Sequence, residues 1–216
     1  MLENKKAVIF DLDGVLVHTD QFHRMAWEAL AQRLGLVLRP EISRSMLGVS
    51  RMDSLELLLK DNGVQVGPEE KARLAEEKNA SYRAFIVRMT PADVSREVRD
   101  TLAELRRRGL KLAVGSSSRN AGTILERVGL DGSFDVVVDG TQISRSKPDP
   151  EVFLKAAEYL QLEPQECLVV EDAIAGIEAA HAGCMDCATF GSIAISSLKA
   201  EYNIHAFSDL LAVFHK

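Results

Sequence analysis

The 216-residue sequence has few of the features that mark secreted, membrane-spanning or disulfide-stabilised proteins. Its three cysteines are too few for a disulfide framework and favour a reducing compartment. No apolar run approaches the ~18 residues that a membrane-spanning helix needs. The N-terminal apolar run stops at Asp11, which makes it too short for the core of a signal peptide. We therefore expect a cytoplasmic protein that does not enter a membrane.

The sequence also lacks a basic excess, because its 26 Lys and Arg are outnumbered by 32 Asp and Glu, which gives a net charge of −6. A general nucleic-acid binder or a protein of anionic membrane surfaces would carry a basic excess, so we expect neither. A small anionic ligand remains compatible, because local charge can oppose the total. The hydrophobic share of 46% is ordinary for a globular chain, and the length suits one large domain or two small ones.

Short apolar segments alternate with helical patterns along much of the sequence. Such segments, when bounded by polar residues, predict buried strands. The candidate strands are residues 6–10, 110–114, 134–138, 167–170 and 185–190. Helices are predicted between most of them, two of which end at Gly109 and Gly129, and Asp149-Pro150 suits the start of another. This alternation predicts an α/β fold, with a Rossmann-like, doubly wound parallel sheet covered on both faces.

The alternation is interrupted early in the chain, where no strand is predicted between about residues 20 and 89. The helical signals cover residues 20–34, 51–62 and 68–89. We therefore predict that an all-helical cap domain, residues 18–91, is inserted into a discontinuous α/β catalytic core, residues 1–17 and 92–216.

Polar side chains follow the predicted strands at equivalent points. In an open α/β sheet, ligands bind beyond the carboxyl ends of the strands. The segments at those ends are Asp11-Leu12-Asp13-Gly14, Gly115-Ser116-Ser117-Ser118, Ser146-Lys147-Pro148-Asp149 and Glu171-Asp172. One Asp-x-Asp is as often ordinary turn chemistry. The coincidence of all these segments at one sheet edge indicates a functional site.

The residue types at this edge suit phosphoryl transfer. The carboxylates would repel one another without a cation, and Mg²⁺ is a hard ion that prefers oxygen ligands. Lys147 and the Ser116 hydroxyl could hold the oxygens of a phosphoryl group. One carboxylate can act as a nucleophile that forms an aspartyl phosphate, and a second, two residues on, can move a proton.

The same segments resemble the motifs of the haloacid dehalogenase superfamily, in order and over the whole chain. The resemblance rests on residues 10–16, Ser116, Lys147-Pro148 and Glu171-Asp172. It implies that Asp11 is the nucleophile and Asp13 the acid and base. It also implies that Mg²⁺ is held by Asp11, the Asp13 carbonyl and Asp172, with Glu171 assisting.

The inserted region is similar to that of β-phosphoglucomutases within this superfamily. The matching segments are residues 19–27, with Thr19, His23 and Trp27, then residues 48–55, with Gly48 and Arg51, and Lys78-Asn79 followed by Tyr82. This resemblance implies that Arg51, Ser118 and Asn120 bind a distal phosphate. It further implies that His23 and Lys78 hold the sugar and tune Asp13, while Ser116 and Lys147 hold the transferring phosphoryl group.

Some residues depart from that pattern or have a simpler interpretation. His18 stands where an acidic residue is usual, and Leu47 and Met52 replace polar ones, although none of the three removes a catalytic group. Taken alone, His23 would be a histidine at the core edge and Lys78 part of a solvated helix face. Arg51 could be an ordinary first-turn residue, but a helix N-terminus favours an anion beside it.

The resemblance implies a β-phosphoglucomutase, which interconverts β-glucose 1-phosphate and glucose 6-phosphate through an aspartyl phosphate and glucose 1,6-bisphosphate. The alternative is a Mg²⁺-dependent phosphatase of small sugar phosphates with the same core. A non-catalytic sugar-phosphate sensor is disfavoured because both Asp11 and Asp13 are present. We expect a monomer whose partner is a small phosphorylated sugar.

Overall fold

The computed structural model describes residues 4–191 and 200–214, and in that part of the chain one sheet contains six strands. The strands are β1 (Ala7–Phe10), β2 (Lys111–Gly115), β3 (Val136–Val138), β4 (Cys167–Glu171), β5 (Asp186–Phe190) and β6 (Tyr202–Ile204). They lie in the order β3-β2-β1-β4-β5-β6, and every neighbouring pair is parallel. The predicted α/β fold with a parallel sheet is confirmed.

Helices connect most of these strands. They are α1 (Asp20–Leu34), α2 (Pro40–Ser45), α3 (Arg51–Asp61), α4 (Pro68–Ile86), α5 (Arg96–Arg107), α6 (Ala121–Val128), α7 (Glu151–Leu160), α8 (Ile174–Ala182) and α9 (Leu210–Val213). The sequence predicted neither α2 nor β6. Both are too short for a periodic pattern to stand out, and α2 buries none of its residues.

The central strand β1 aligns the two elements that carry most of the polar segments. Phe10, its last residue, is level with Val114 of β2 on one side and Val170 of β4 on the other. All four residues of β1 are fully buried, as expected for a parallel sheet with both faces covered. The chain therefore leaves β1, β2 and β4 at the same edge of the sheet.

Helices α1–α4, residues 20–86, form what we call the helical insert. Among the described residues between β1 and β2, all of the chain's regular structure is helical. The insert has its own cluster of buried side chains, which includes Trp27, Leu30, Leu55, Leu58 and Leu74. Its division from the core at residues 18 and 91 remains a prediction, and the predicted core includes residues 1–3, 192–199 and 215–216, which lie outside the described residues.

Local sequence signals account for several helix ends, with one correction. Gly109 and Gly129 adopt the left-handed conformation at φ 85° and 66°, which glycine reaches without steric cost. The start of α7 was predicted one residue too early, since Pro150 is its N-cap and not its first residue. Asp149, one residue before the N-cap, still satisfies a free amide of the first turn, because its Oδ1 accepts a hydrogen bond from the Glu151 amide at 3.0 Å.

Two expectations that concern absent features can be compared with the structure. Cys167, Cys184 and Cys187 are free thiols, and the first and last of them are buried. Within residues 4–191 and 200–214, no helix combines the length and the apolar character of a membrane span.

The helical insert should depend on its own core for stability. Leu58 is fully buried in that core, so Leu58→Ala should lower the free energy of unfolding by about 2–5 kcal/mol through lost burial and a cavity. Val37 is 60% exposed, so Val37→Ala should change it by less than about 0.5 kcal/mol. Urea unfolding of both variants checks this, and equal losses would contradict the packing described.

Candidate active site

A cavity of about 900 Å³ lies between the carboxyl edge of the sheet and the helical insert. Most of the residues singled out from the sequence line it: Asp11, Asp13, His23, Trp27, Gly48, Arg51, Lys78, Ser116, Ser118, Asn120, Lys147 and Asp172. Thr19 and Glu171 are fully buried beside it and contact lining residues. The structure thus brings together residues that are as far apart in the sequence as Asp11 and Asp172.

Lys147 is buried at the base of this cavity between two carboxylates. Its Nζ donates to Asp11 Oδ1 at 2.5 Å and to Glu171 Oε1 at 2.7 Å. The other oxygen of Glu171 accepts the backbone amides of Asp172 and Ala173, each at 2.8 Å. Burial acts to lower the pKa of Lys147, but the two carboxylates outweigh burial and raise the pKa above its usual value. Lys147 therefore carries a fixed positive charge.

Three carboxylates meet closely enough to share one cation. Asp11, Glu171 and Asp172 each offer an oxygen, and these oxygens lie within 4.8 Å of one another. Burial, with repulsion from Glu171, raises the pKa of Asp11 to about 7 and that of Asp172 to about 9. These raised pKa values mean that Lys147 alone does not stabilise all three groups as carboxylates. A small divalent ion with oxygen ligands, such as Mg²⁺, fits this donor set.

Two glycines leave the space that these carboxylates occupy. A Cβ on Gly14 would lie 1.9 Å from Asp172 Oδ2, and the backbone there has a φ of +92°. A Cβ on Gly176, in α8, would lie 1.8 Å from Glu171 Oε1. Neither contact is possible for a real side chain, so glycine at both positions is a condition for the acidic cluster.

Asp13 points away from that cluster towards side chains at the start and end of the helical insert. Its Oδ1 accepts a short hydrogen bond from the Thr19 hydroxyl and lies 3.4 Å from the Tyr82 hydroxyl and 3.7 Å from His23 Nε2. Burial acts to raise the pKa of Asp13, but His23 and Thr19 outweigh it and hold the pKa below its usual value. Coordination of a metal through the Asp13 carbonyl remains a prediction.

Lys78, which is buried, contacts the partly buried His23 in the helical insert. Lys78 Nζ lies 2.9 Å from His23 Nδ1, and 4.9 Å and 4.8 Å from the ring centroids of Trp27 and Tyr82. Lys78 is only 3% exposed, so the simpler interpretation as part of a solvated helix face is wrong. Burial, followed by the charge of Arg51, lowers the pKa of Lys78 to about 7. The aromatic faces stabilise its charged form.

A second group of charged side chains lines the cavity around Arg51. Arg51 begins α3, and its Nη1 donates to Glu76 Oε2 at 3.0 Å and to the Ala75 carbonyl at 3.3 Å. Arg119 also lines the cavity, and its charge, together with burial, acts to lower the pKa of Arg51. Asn120 contacts the helical insert, since its Nδ2 donates to Asn79 Oδ1 at 3.0 Å.

The sequence of this chain is similar to that of known proteins with this kind of site. Residues 5–183 match the haloacid dehalogenase-like hydrolase family. The chain belongs to this family. It is 38% identical over 176 residues to a β-phosphoglucomutase of Bacillus subtilis, covering 81% of this chain and 78% of that protein. It is therefore a haloacid dehalogenase-family enzyme.

Two further relatives differ in the activity that their names record. A crystal structure of β-phosphoglucomutase from Clostridium difficile superposes with a TM-score of 0.89 at 34% identity, covering 95% of this chain and 93% of that one. A phosphorylated carbohydrates phosphatase of Thermotoga maritima is 33% identical over 178 residues, covering 81% of this chain and 80% of that protein. Haloacid dehalogenase family membership alone thus leaves mutase and phosphatase open.

Three residues that the structure brings to the site were given no role from the sequence, although Asn79 and Tyr82 belong to a segment that resembles the family. Tyr82 and Asn79 lie on the same helix as Lys78, and Tyr82 is one turn further on, a spacing that predicts a shared face. Arg119 lies between Ser118 and Asn120 and faces the same cavity. No periodic signal marks it, because it is a single residue in a loop.

The departures from the family pattern have modest structural consequences. His18 is exposed just before α1 and does not line the cavity, so the structure gives it no contact with the site. Leu47 and Met52 do line the cavity, and Met52 is 42% exposed. They make this part of the wall more apolar.

Metal binding tests whether the space at Gly176 is needed to position Glu171. Gly176→Ala should push the Glu171 carboxylate out of place and weaken Mg²⁺ binding about 10- to 100-fold. The matched control is Gly122→Ala in α6, where a new Cβ meets nothing within 4 Å. Titration calorimetry with MgCl₂ compares the two variants. Unchanged Mg²⁺ affinity in Gly176→Ala would show that Glu171 does not depend on the space at this glycine.

Buried Lys78 should lower the free energy of unfolding at neutral pH. Because its pKa falls from an ordinary 10.5 to about 7 on folding, the unfolded chain binds more protons between these values. This residue therefore makes the protein more stable as the pH rises through that window. Lys78→Met should raise the free energy of unfolding by about 1–4 kcal/mol at pH 6. That gain should shrink towards pH 10.

The control for this experiment is Lys60→Met, at an exposed position of α3. Urea unfolding at both pH values measures the effect. A loss of stability in Lys78→Met at pH 6, or a pH-independent difference, would show that Lys78 is not a destabilising buried cation.

Proposed function

We propose that this chain is a β-phosphoglucomutase, which interconverts β-glucose 1-phosphate and glucose 6-phosphate through a phosphorylated Asp11. One observation carries the proposal: a single cavity is lined by two separate cationic groups, Lys147 in contact with Asp11 and Arg51 in contact with Glu76. A substrate with one phosphate needs only one such group. A sugar that passes through a bisphosphate needs both.

Asp11 is proposed as the group that carries the phosphoryl between sugars. A sugar hydroxyl attacks the phosphorus of phosphorylated Asp11, a new P–O bond forms to the sugar, and the bond to Asp11 breaks. The Asp11 oxygen keeps the electron pair of that bond, and Lys147, 2.5 Å away, offsets its returning charge. Ser116, buried at the end of β2, would hold an oxygen of the transferring group.

Asp13 is proposed as the acid and base. It takes the proton of the attacking hydroxyl and returns it when the leaving oxygen needs one. Its usual form in this site is the carboxylate, because His23 and Thr19 hold its pKa low. His23 and Lys78, in contact at 2.9 Å, would bind the sugar and set the position of Asp13, with Thr19 and Trp27 completing that wall.

The distal phosphate is proposed to bind Arg51, Ser118 and Asn120, close to Gly48. Glucose 1,6-bisphosphate would then turn in the cavity, so that its other phosphate faces Asp11 and is transferred back. This requires the distal site to accept either phosphate. A guanidinium does so, because it binds phosphate oxygens in several geometries.

The metal site is proposed to consist of Asp11, the Asp13 carbonyl and Asp172, with Glu171 assisting. Mg²⁺ bound there supplies positive charge to the oxygens of the transferring phosphoryl group. Glu171 also holds Lys147 and the loop after β4 through its two oxygens. We further propose a cytoplasmic monomer in which residues 18–91 act as a cap that excludes water.

A phosphatase of small sugar phosphates is the alternative. The observation that favours it is the 33% identity to a phosphatase, which is close to the 38% identity to a mutase. The two activities differ in the group that attacks phosphorylated Asp11, which is water in the phosphatase and a sugar hydroxyl in the mutase.

Product analysis distinguishes the two activities. The protein is given β-glucose 1-phosphate, Mg²⁺ and a trace of glucose 1,6-bisphosphate, and glucose 6-phosphate and free phosphate are followed together. The proposal predicts that glucose 6-phosphate dominates and that Asp11→Asn forms neither product. Dominant release of phosphate would establish the phosphatase instead, and activity in Asp11→Asn would refute the mechanism.

Arg51 tests the second phosphate site. Arg51→Ala should lower glucose 6-phosphate formation about 10- to 100-fold, the range for loss of one charged hydrogen bond. Arg83→Ala is the matched control, because Arg83 binds the same Glu76 at 3.1 Å but does not line the cavity. Equal effects of the two substitutions on the rate of formation would mean that Arg51 acts only through general charge.

A further inference from the structure

Asp53 joins the helical insert to the loop that carries Lys147. Its Oδ2 accepts a hydrogen bond from Ser146 Oγ at 2.5 Å, and Ser146 directly precedes Lys147. Asp53 is in the first turn of α3, two residues after Arg51. One carboxylate oxygen therefore ties the segment beside Arg51 to the segment beside Asp11.

The first turn of α3 holds Asp53 in place for this contact. Ser50, the N-cap residue, donates its hydroxyl to the same Asp53 oxygen at 2.6 Å and accepts the Asp53 amide at 3.2 Å. These reciprocal bonds restrict the Asp53 side chain without help from the core. The carboxylate is thus already oriented towards Ser146, and little conformational freedom remains to be lost.

Other polar contacts also cross from the helical insert to the loops at the sheet edge. Ser117 Oγ donates to the Gly48 carbonyl at 3.0 Å and Asn120 Nδ2 donates to Asn79 Oδ1 at 3.0 Å, and both of these bonds join neutral groups.

Two bonds that cross have a charged acceptor. The Tyr82 hydroxyl donates to Asp13 Oδ1 at 3.4 Å, and Ser146 Oγ donates to Asp53 Oδ2 at 2.5 Å. A charged acceptor makes a hydrogen bond about twice as strong as a neutral one, and the Asp53–Ser146 bond is the shorter of the two.

We propose that Asp53 is a positioning residue that directs the phosphoryl group of Asp11 to a sugar hydroxyl rather than to water. The inference rests on the proposed mutase function. The Asp53–Ser146 bond, which we call the latch, holds α3 against the Lys147 loop at one side of the cavity. When the latch opens, these two segments can separate and water can reach phosphorylated Asp11.

The two outcomes share the same bond changes and differ in the acceptor. In each, the bond between phosphorus and the Asp11 oxygen breaks, and that oxygen keeps the electron pair. A new P–O bond forms to a sugar hydroxyl, giving the bisphosphate, or to water, giving inorganic phosphate. The proton of the attacking oxygen goes to Asp13 in both cases. A change in the latch should therefore alter which acceptor reaches phosphorylated Asp11, and with it the product ratio. It should leave the bonds that form and break unchanged.

The exposure of the latch makes it suitable for mutation. Asp53 is exposed and Ser146 is partly buried, so substitutions there remove little core packing. Ser146→Ala removes the latch and leaves the α3 cap intact, whereas Asp53→Asn keeps the shape of the side chain but loses its charge. Glu56→Gln is the control, because Glu56 lies on the same helix and pairs with Lys71 inside the helical insert at 2.5 Å.

The test measures the ratio of free phosphate to glucose 6-phosphate, with β-glucose 1-phosphate, Mg²⁺ and a trace of glucose 1,6-bisphosphate. Ser146→Ala should raise this ratio about tenfold, which corresponds to about 1.4 kcal/mol, the scale of one hydrogen bond to a charged group. Asp53→Asn should raise it by less, because the amide oxygen of Asn still accepts a neutral hydrogen bond from Ser146. The double variant should match Ser146→Ala, because the donor that both changes affect is already gone. Glu56→Gln should keep the wild-type ratio.

The outcomes separate the inference from the function on which it rests. A wild-type protein that releases only phosphate would overturn the proposed mutase and the inference with it. A wild-type protein that forms glucose 6-phosphate, with an unchanged ratio in Ser146→Ala, would overturn the inference alone. A fall of both products in equal proportion would also overturn it, since a merely structural role predicts that result.

Discussion

The buried contact of Lys147 with Asp11 and Glu171 is the interaction on which the rest of the site depends. A charge taken out of water is costly, and the loss of one partner would leave the others uncompensated. The contact exists because β1 and β4 are neighbours in register, so that Asp11 and Glu171 emerge side by side. Lys147 reaches them from the segment before α7, and Gly176 leaves room for Glu171. The order of the strands, their register and the space at Gly176 are thus all needed for this contact.

The helical insert supplies what the sheet edge lacks. The sheet brings together carboxylates and one lysine, which suffice for holding a metal ion and a phosphoryl group. The insert adds Arg51 and the Lys78–His23 contact to the wall of the cavity. Thr19, at the junction of the two parts, binds Asp13. This division places phosphoryl chemistry in the core and, in our proposal, sugar recognition and water exclusion in the insert.

Much of this could be predicted from the sequence, because buried parallel strands and amphipathic helices have distinct patterns. Helix α1 was predicted with the bounds that the structure has, and the polar segments after β1 and β4 indicated the acidic site. The roles within the insert came from a resemblance to a family. Tertiary contacts escaped prediction: the Lys78 side chain is buried under Trp27 and Tyr82, although its helix is highly charged. Arg119 and the latch depend on loop positions that no local pattern specifies.

The proposed reaction requires that Asp11, oriented by Lys147, carries the phosphoryl group during turnover. The most direct measurement is peptide mass spectrometry of protein that has been incubated with glucose 1,6-bisphosphate and Mg²⁺ and quenched in acid, which preserves an acyl phosphate. We expect phosphate on the peptide that contains Asp11, and we expect it to be lost when β-glucose 1-phosphate is added before the quench. Phosphate on another residue, or an unmodified protein that still forms glucose 6-phosphate, would contradict the proposed reaction.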